Sequence, residues 1–345
     1  MCNGTIMDKL ITFSVPLMLS SVLQLMFNAV DIIVVGRFSG SQALAAVGST
    51  TALINIFVNL FIGISLGANV LAARFYALEL KKEMSETVHT AITFALVSGI
   101  VVAVFGVTLA RFALEIMATP EDVINKSVLY MRIYFCGMPF FMLYNYGAAV
   151  LRAVGDTKRP LLFLIISGVV NAVLNLFLVI AFHLDVAGVG IATVISQCIS
   201  CILVLRCLYH TESSYQLRFS KLCLKTKYLR QIFAVGVPAG IQSTVINLSN
   251  AMLQSSVNSF GSIAMAGYTA ANNILGFLYV SINSVTQACM SFTSQNYGVK
   301  KWKRMDKVLI DCIILSVIVA LTLGNGAYLL GPKLLRIYSE QADVV

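Results

Sequence analysis

The sequence predicts an all-α polytopic membrane protein: two pseudo-symmetric six-helix lobes, the second incomplete, with about nine transmembrane helices present. Three observations carry this prediction. Only 11% of the 345 residues are charged and 58% are hydrophobic, whereas a soluble domain is about 25% charged. Charge-free windows of about 20 residues, enough for one crossing of a bilayer, recur along the whole length. The pattern of the first two spans also returns past the middle of the chain.

The spans read as roughly 10–35, 43–73, 90–110, 127–150, 161–182, 186–205, 232–257, 263–292 and 313–330. The first run has no small-residue cleavage site ahead of a soluble domain, so it is read as a span and not as a signal peptide. The loops fix orientation. With the N-terminus in the cytoplasm, 18 of the 24 Lys and Arg fall on the inner side, grouped at Lys9, 74–82, 152–159, 206–230 and 300–307. Arg37, Arg111, Lys126, Arg132, Lys333 and Arg336 remain outside, as the positive-inside rule requires for the cytoplasmic membrane. The net charge of +9 is therefore topology, and no nucleic-acid partner is expected.

Eight cysteines do not make a disulfide framework here, because Cys136, Cys198, Cys201 and Cys289 lie within apolar spans. Cys198 and Cys201 have metal-like spacing but lack a second pair or nearby histidines, so they read as packing residues; no metal centre or cofactor is expected.

The repeat sets "FSVPLMLSSVLQLMFNAVD" (13–31) over "AVGVPAGIQSTVINLSNAML" (234–253), with Pro16 on Pro238. "GSQALA" (40–45) then matches "GSIAMA" (261–266), and "RFYALELKKEM" (74–84) matches "QNYGVKKWKRM" (295–305). Six spans separate the copies, so both start on the same side, as parallel repeats related by an axis near the membrane normal. The chain divides accordingly into a lobe at 1–208, a basic cytoplasmic linker at 209–230 and a partial second lobe at 231–345. Three further spans are expected beyond Val345 if the repeat is complete. Two lobes rocking about a central cavity is the physical scheme of a secondary transporter.

Polar residues within the spans mark where such a protein works, since a carboxylate in a bilayer costs at least a few kcal/mol. Asp31, in "FNAVDIIVVG" (27–36), is the only charge between Lys9 and Arg37. It lies six residues before Arg37, about 9 Å below the outer end of its span. Asn175 lies eight residues before His183, and Thr193 eight residues after Asp185, which places all three at one depth. Asn171 shares a helix face with Asn175, one turn deeper. A carboxylate with two amides and a hydroxyl suits a proton or a hard cation such as Na⁺. Burial favours the neutral acid and a bound cation favours the ionised one, so occupancy can switch. Asn and Thr can equally serve as helix-to-helix bonds worth about 0.6 kcal/mol each.

In the second copy Leu253 stands in place of Asp31, and the stretch 231–299 carries no charge. It is rich in amides, among them Gln242, Asn247, Asn250, Gln254, Asn283 and Gln287, which with Gln24 and Asn28 are candidates for a cavity accepting bulky, amphipathic or cationic small molecules. Each of these amides singly can be a packing residue instead. Pro16 and Pro238 each remove a helix hydrogen bond and are candidate hinges, with a static kink as the alternative.

These motifs together resemble the multidrug and toxic compound extrusion (MATE) family, over essentially the whole chain. The resemblance rests on Pro16 with "FNAVDIIVVG", on "GSQALAAVG" (40–48), "LRAVGDTKRP" (151–160), "VVNAVLNLF" (169–177), "VPAGIQ" (237–242) and "SQNYG" (294–298). It implies a bacterial, V-shaped, twelve-span antiporter that exports organic cations and is driven by inward H⁺ or Na⁺, working as a monomer among membrane lipids. It further implies that Asp31, Asn171 with Asn175, and Thr193 form the cation-coupling site. The family's fifth span often carries an acid at the position of Asn175; the amide here removes one negative charge. The seventh span offers only Gln242, Ser243, Thr244 and Asn247 where another branch has an acid, which favours coupling in the first lobe. A flippase for a lipid-linked precursor of the same superfamily would need basic residues in its cavity, and the spans hold almost none. A membrane-embedded enzyme would need a nucleophile–base pair or metal cluster, yet His89, His183 and His210 all fall at span ends. A non-transporting receptor or fragment is the remaining alternative.

Overall fold

A computed structural model describes residues 1–117, 119–258 and 262–335. Its elements run α1 (Ile6–Phe38), α2 (Gly40–Ala77), α3 (Lys81–Ile116), α4 (Glu121–Cys136), α5 (Met138–Ala153), α6 (Lys158–Leu176), α7 (Asp185–Tyr209), α8 (Thr226–Asn258), α9 (Ser262–Gly298) and α10 (Trp302–Leu335). Long apolar runs become helices because only intrasegment hydrogen bonds can satisfy the backbone where water is absent. Eight helices among the described residues are long and apolar enough to cross a membrane, and the bent pair α4–α5 brings the number to nine.

That bend is the main local departure from the sequence reading, which treats 127–150 as one span. The chain turns by 43° between α4 and α5. Pro139 explains it: proline has no N–H for the carbonyl of Phe135, and its ring would clash with that carbonyl in a continuous helix. Gly137 sits at the corner, where a Cβ would lie 2.7 Å from Gln197 Oε1 and 2.9 Å from Val194, so α7 packs against bare backbone. Pro16 and Pro238, by contrast, lie inside unbroken α1 and α8. A second irregularity follows α6, which passes into a π-helical turn at Phe177–Ala181.

Two hydrophobic cores organise the helices. The larger joins α2 to α7 with the outer half of α1 (Val34, Val35) and the start of α8 (Tyr228, Ile232). The smaller joins the first half of α1 (Ile6, Leu10, Phe13, Leu17) to α9 and α10 through Val285, Ala288, Phe292 and Val308, with Phe13 and Phe292 edge to face at 5.5 Å. The helix α1 therefore bridges both cores.

The helices α2 and α8 cross at backbone contact. A Cβ at Gly63 would fall 2.3 Å from Gly240 Cα, and one at Gly67 would fall 2.1 Å from the Ile232 carbonyl oxygen. Facing small-xxx-small pairs, Gly63/Gly67 and Gly236/Gly240, allow this approach, which in a bilayer must come from packing because lipid gives no hydrophobic drive. Beside the crossing, toward the basic end, runs a buried polar seam. Asn69 donates to the Ala149 carbonyl at 2.9 Å and accepts from Ser291 Oγ at 2.9 Å. Ser294 Oγ donates to the Val70 carbonyl at 2.5 Å and Gln295 Nε2 to the Ala153 carbonyl at 2.6 Å. Replacing Asn69 by Leu removes both of these interhelix bonds, leaving Ser291 only its bond to the Gln287 carbonyl of its own helix, and we expect a loss of about 1–3 kcal/mol, read as a lowered unfolding temperature in detergent micelles.

Candidate functional site

A cavity of about 220 Å³ opens among α1, α2 and α4–α7. Asp31 reaches it from α1, Asn171 from α6 and Thr193 from α7. Asn175 stands behind them, fully buried. Its Nδ2 donates to Asp31 Oδ1 and, at 3.3 Å, to Asn171 Oδ1, so both of its amide hydrogens have acceptors. Asn175 Oδ1 is buried without a partner among the described residues. The Thr193 hydroxyl lies beside the Asp31 carboxyl and 2.9 Å from the Val189 carbonyl oxygen. Residues from three helices, α1, α6 and α7, thus converge, as depth counting anticipates.

The chemistry follows from this inventory. The Thr193 hydroxyl can point its hydrogen at Val189 and offer a lone pair, or turn it toward the Asp31 carboxylate. Asn175 offers lone pairs through Oδ1. Thr193 can accept from an O–H on a protonated Asp31, and both oxygens are of the kind that a proton donor or a cation can use. An ionised Asp31 has two neutral side-chain partners, the Asn175 amide and the Thr193 hydroxyl, and no cationic one among the described lining residues, so such a buried charge calls for a counter-ion or a proton.

Of the residues proposed for the substrate cavity, Gln24 and Asn28 line this space with Asp31. Gln242, Asn247, Asn250 and Asn283 do not; they are exposed on α8 and α9, and Gln287 is half-buried on α9. The side chain of Gln254 lies outside the described residues. The sequence reading misses Tyr130, Tyr134, Asn55, Asn145 and Gln197, which also line the cavity. Tyr130 and Tyr134 are one turn apart, and Gln197 is one turn beyond Thr193, so helical spacing hints at both faces. The α4 tyrosines share this cavity with Asp31 of α1. None of the described lining residues is Lys, Arg or His.

An all-helical membrane protein with a polar cavity built around one intramembrane acid is the class that this geometry defines. The MatE family model matches residues 16–177 and 238–345. A probable multidrug resistance protein of Bacillus subtilis, YoeA, is 32% identical over 342 residues, covering 96% of this chain and 73% of the relative. The multidrug export protein MepA of Staphylococcus haemolyticus is 22% identical, covering 99% and 76%. Among solved structures, the outward-facing conformation of a multidrug resistance MATE family transporter of the MOP superfamily superposes with a TM-score of 0.93 at 20% identity, over 99% of this chain and 76% of that one. The chain belongs to the MatE family.

Proposed function

We propose that this protein exports amphipathic, cationic small molecules in exchange for protons, with Asp31 as the coupling group. The carrying observation is the Asp31 carboxyl, set in a polar cavity against Asn175 and Thr193 with no basic side chain among the described lining residues. In this reading the cavity is the first lobe's, and the basic end faces the cytoplasm by the positive-inside distribution. One acid can hold one positive charge, a proton or a cationic solute, which makes the two compete for the site. The multidrug names of the relatives from Bacillus subtilis and Staphylococcus haemolyticus support the substrate class.

Proton rather than sodium coupling is favoured because Asn175 supplies an amide where a second acid would strengthen Na⁺ binding. Ethidium-type dye efflux from vesicles, with pH and Na⁺ gradients imposed separately, tests this: a pH gradient alone drives efflux if the reading holds, and a strict Na⁺ requirement refutes it. The substitution Asn175→Asp places two carboxylates within hydrogen-bonding distance, which share one proton or hold a cation between them. We expect this variant to acquire Na⁺-stimulated efflux that the parent lacks, measured in the same vesicles.

A further inference from the structure

The two hydrophobic cores meet at the basic end along the polar seam of α2, α5 and α9. The joint is shut there, since Asn69, Ser291, Ser294 and Gln295 are all buried. The bonds that cross it are Ser291 to Asn69, Ser294 to the Val70 carbonyl and Gln295 to the Ala153 carbonyl. Each is a hydrogen bond that water can replace at modest net cost if the joint parts.

One element at this joint is not a helix. The residues before α1 lie over the turn joining α9 to α10, and four successive carbonyls each accept from a cation. The Met1 carbonyl accepts from Arg304 Nη2 at 3.2 Å and the Cys2 carbonyl from Lys301 Nζ at 3.0 Å. The Asn3 carbonyl accepts from Lys9 Nζ at 2.7 Å and the Gly4 carbonyl from Arg304 Nη2 at 2.9 Å. Lys301 Nζ also donates to Asn3 Oδ1 at 2.8 Å. None of the three cations has an acidic partner among the described residues, so peptide carbonyls stand where a carboxylate would. Gly4, at φ +73°, turns the chain into α1. A single exposed contact to a charged side chain contributes little, but four in a row fix the path of the segment.

From that path the segment reaches the larger core. Met1 packs against the smaller core, and its methyl lies over Gly155 in the turn joining α5 to α6, 3.6 Å from where a Cβ would stand. Cys2 Sγ lies 3.9 Å from Gln295 Oε1, and the amide nitrogen of the same Gln295 makes the bond to the Ala153 carbonyl. Ala153 belongs to the larger core. The grip of Lys301 and Arg304 on the segment therefore seats Met1 and Cys2 at the joint itself.

We infer that residues 1–4 are a latch that holds the basic end of the joint shut, gripped by Lys301 and Arg304 and closing on the larger core at Gly155 and, through Gln295, at Ala153. The two cores part at this end only when the latch lifts, a motion to which the export reading above gives a use. Hydrogen exchange of the full chain in neutral detergent micelles, read segment by segment by mass spectrometry, compares the parent with K301Q/R304Q. The decisive segment is 149–157, to which neither substituted side chain is bonded. Exchange there and at 291–301 should quicken by about threefold or more, while the turn at 182–185, at the opposite end, keeps its rate. The control K303Q/K307Q, which removes the same charge from two exposed lysines of α10, should match the parent. Quickening confined to 1–10 makes the segment a passive cover and overturns the latch, as does equal quickening in the control or at 182–185. Should K301Q/R304Q not fold, Gly4→Ala disturbs the segment without removing a charge, because alanine is strained at φ +73° and its Cβ would crowd Lys9 Nζ at 3.1 Å. The same rise at 149–157 then upholds the latch, and an unchanged rate there overturns it. This readout needs no substrate, so a parent without efflux refutes the export reading and leaves the latch to be judged by exchange alone.

Discussion

Asp31→Asn should lower proton-driven efflux by at least about tenfold while leaving the protein folded and in the membrane. The substitution keeps the size of the side chain and its place beside Asn175 and Thr193 but removes the only carboxyl among the described lining residues. Stability should rise or stay level, because an ionisable group in a buried site carries a cost that a neutral amide avoids. That combination separates a coupling residue from a structural one. The measurement is dye efflux from vesicles under an imposed pH gradient, alongside membrane abundance and unfolding temperature. Undiminished efflux in Asp31→Asn would sink the assignment. A joint loss of efflux and abundance would instead give Asp31 a structural role.

The second large effect is expected at the α2–α8 crossing. Alanine in mid-helix normally gains about 0.5–1 kcal/mol over glycine. At Gly48 of α2 a Cβ meets nothing within 4 Å, so Gly48→Ala should be neutral or slightly stabilising. At Gly67 of the same helix a Cβ would sit 2.1 Å from the Ile232 carbonyl oxygen and 2.9 Å from Gly236 N, both backbone atoms that no rotamer change can move. Gly67→Ala must push two helices apart, and a cost of about 3 kcal/mol or more is expected, at the upper end of overpacking effects. Folded yield and unfolding temperature of the matched pair check this. Equal behaviour of the two variants would mean that the helices do not approach as closely as described.

Sequence and structure divide the candidate site unevenly. Asp31, Asn171, Asn175 and Thr193 are legible in advance because a membrane imposes a coordinate: residues counted from the charged ends of their spans share a depth, and uncommon polar side chains stand out. Depth says nothing of azimuth. Gln24 and Asn28 line the cavity with Asp31, while Gln242, Asn247, Asn250 and Asn283, equally polar and equally exposed, do not line it. Tyr130 and Tyr134 pass unnoticed because tyrosine in a span is unremarkable until packing places it at a polar cavity.

What the sequence by itself determines is the membrane class, the succession of candidate spans, the proline-bearing repeat and the place of Asp31 within the first of them. Each follows from hydropathy and charge, which act residue by residue along the chain. What only the tertiary structure decides is which faces meet: the 43° turn before α5, the glycine-to-glycine crossing of α2 and α8, and the bond from Asn175 to Asp31 across 144 residues of chain. Inside a bilayer most helix faces are apolar alike, so periodicity cannot choose among partners. The choice is made by shape and by the few polar atoms that must find one another, and those are properties of the assembled helices.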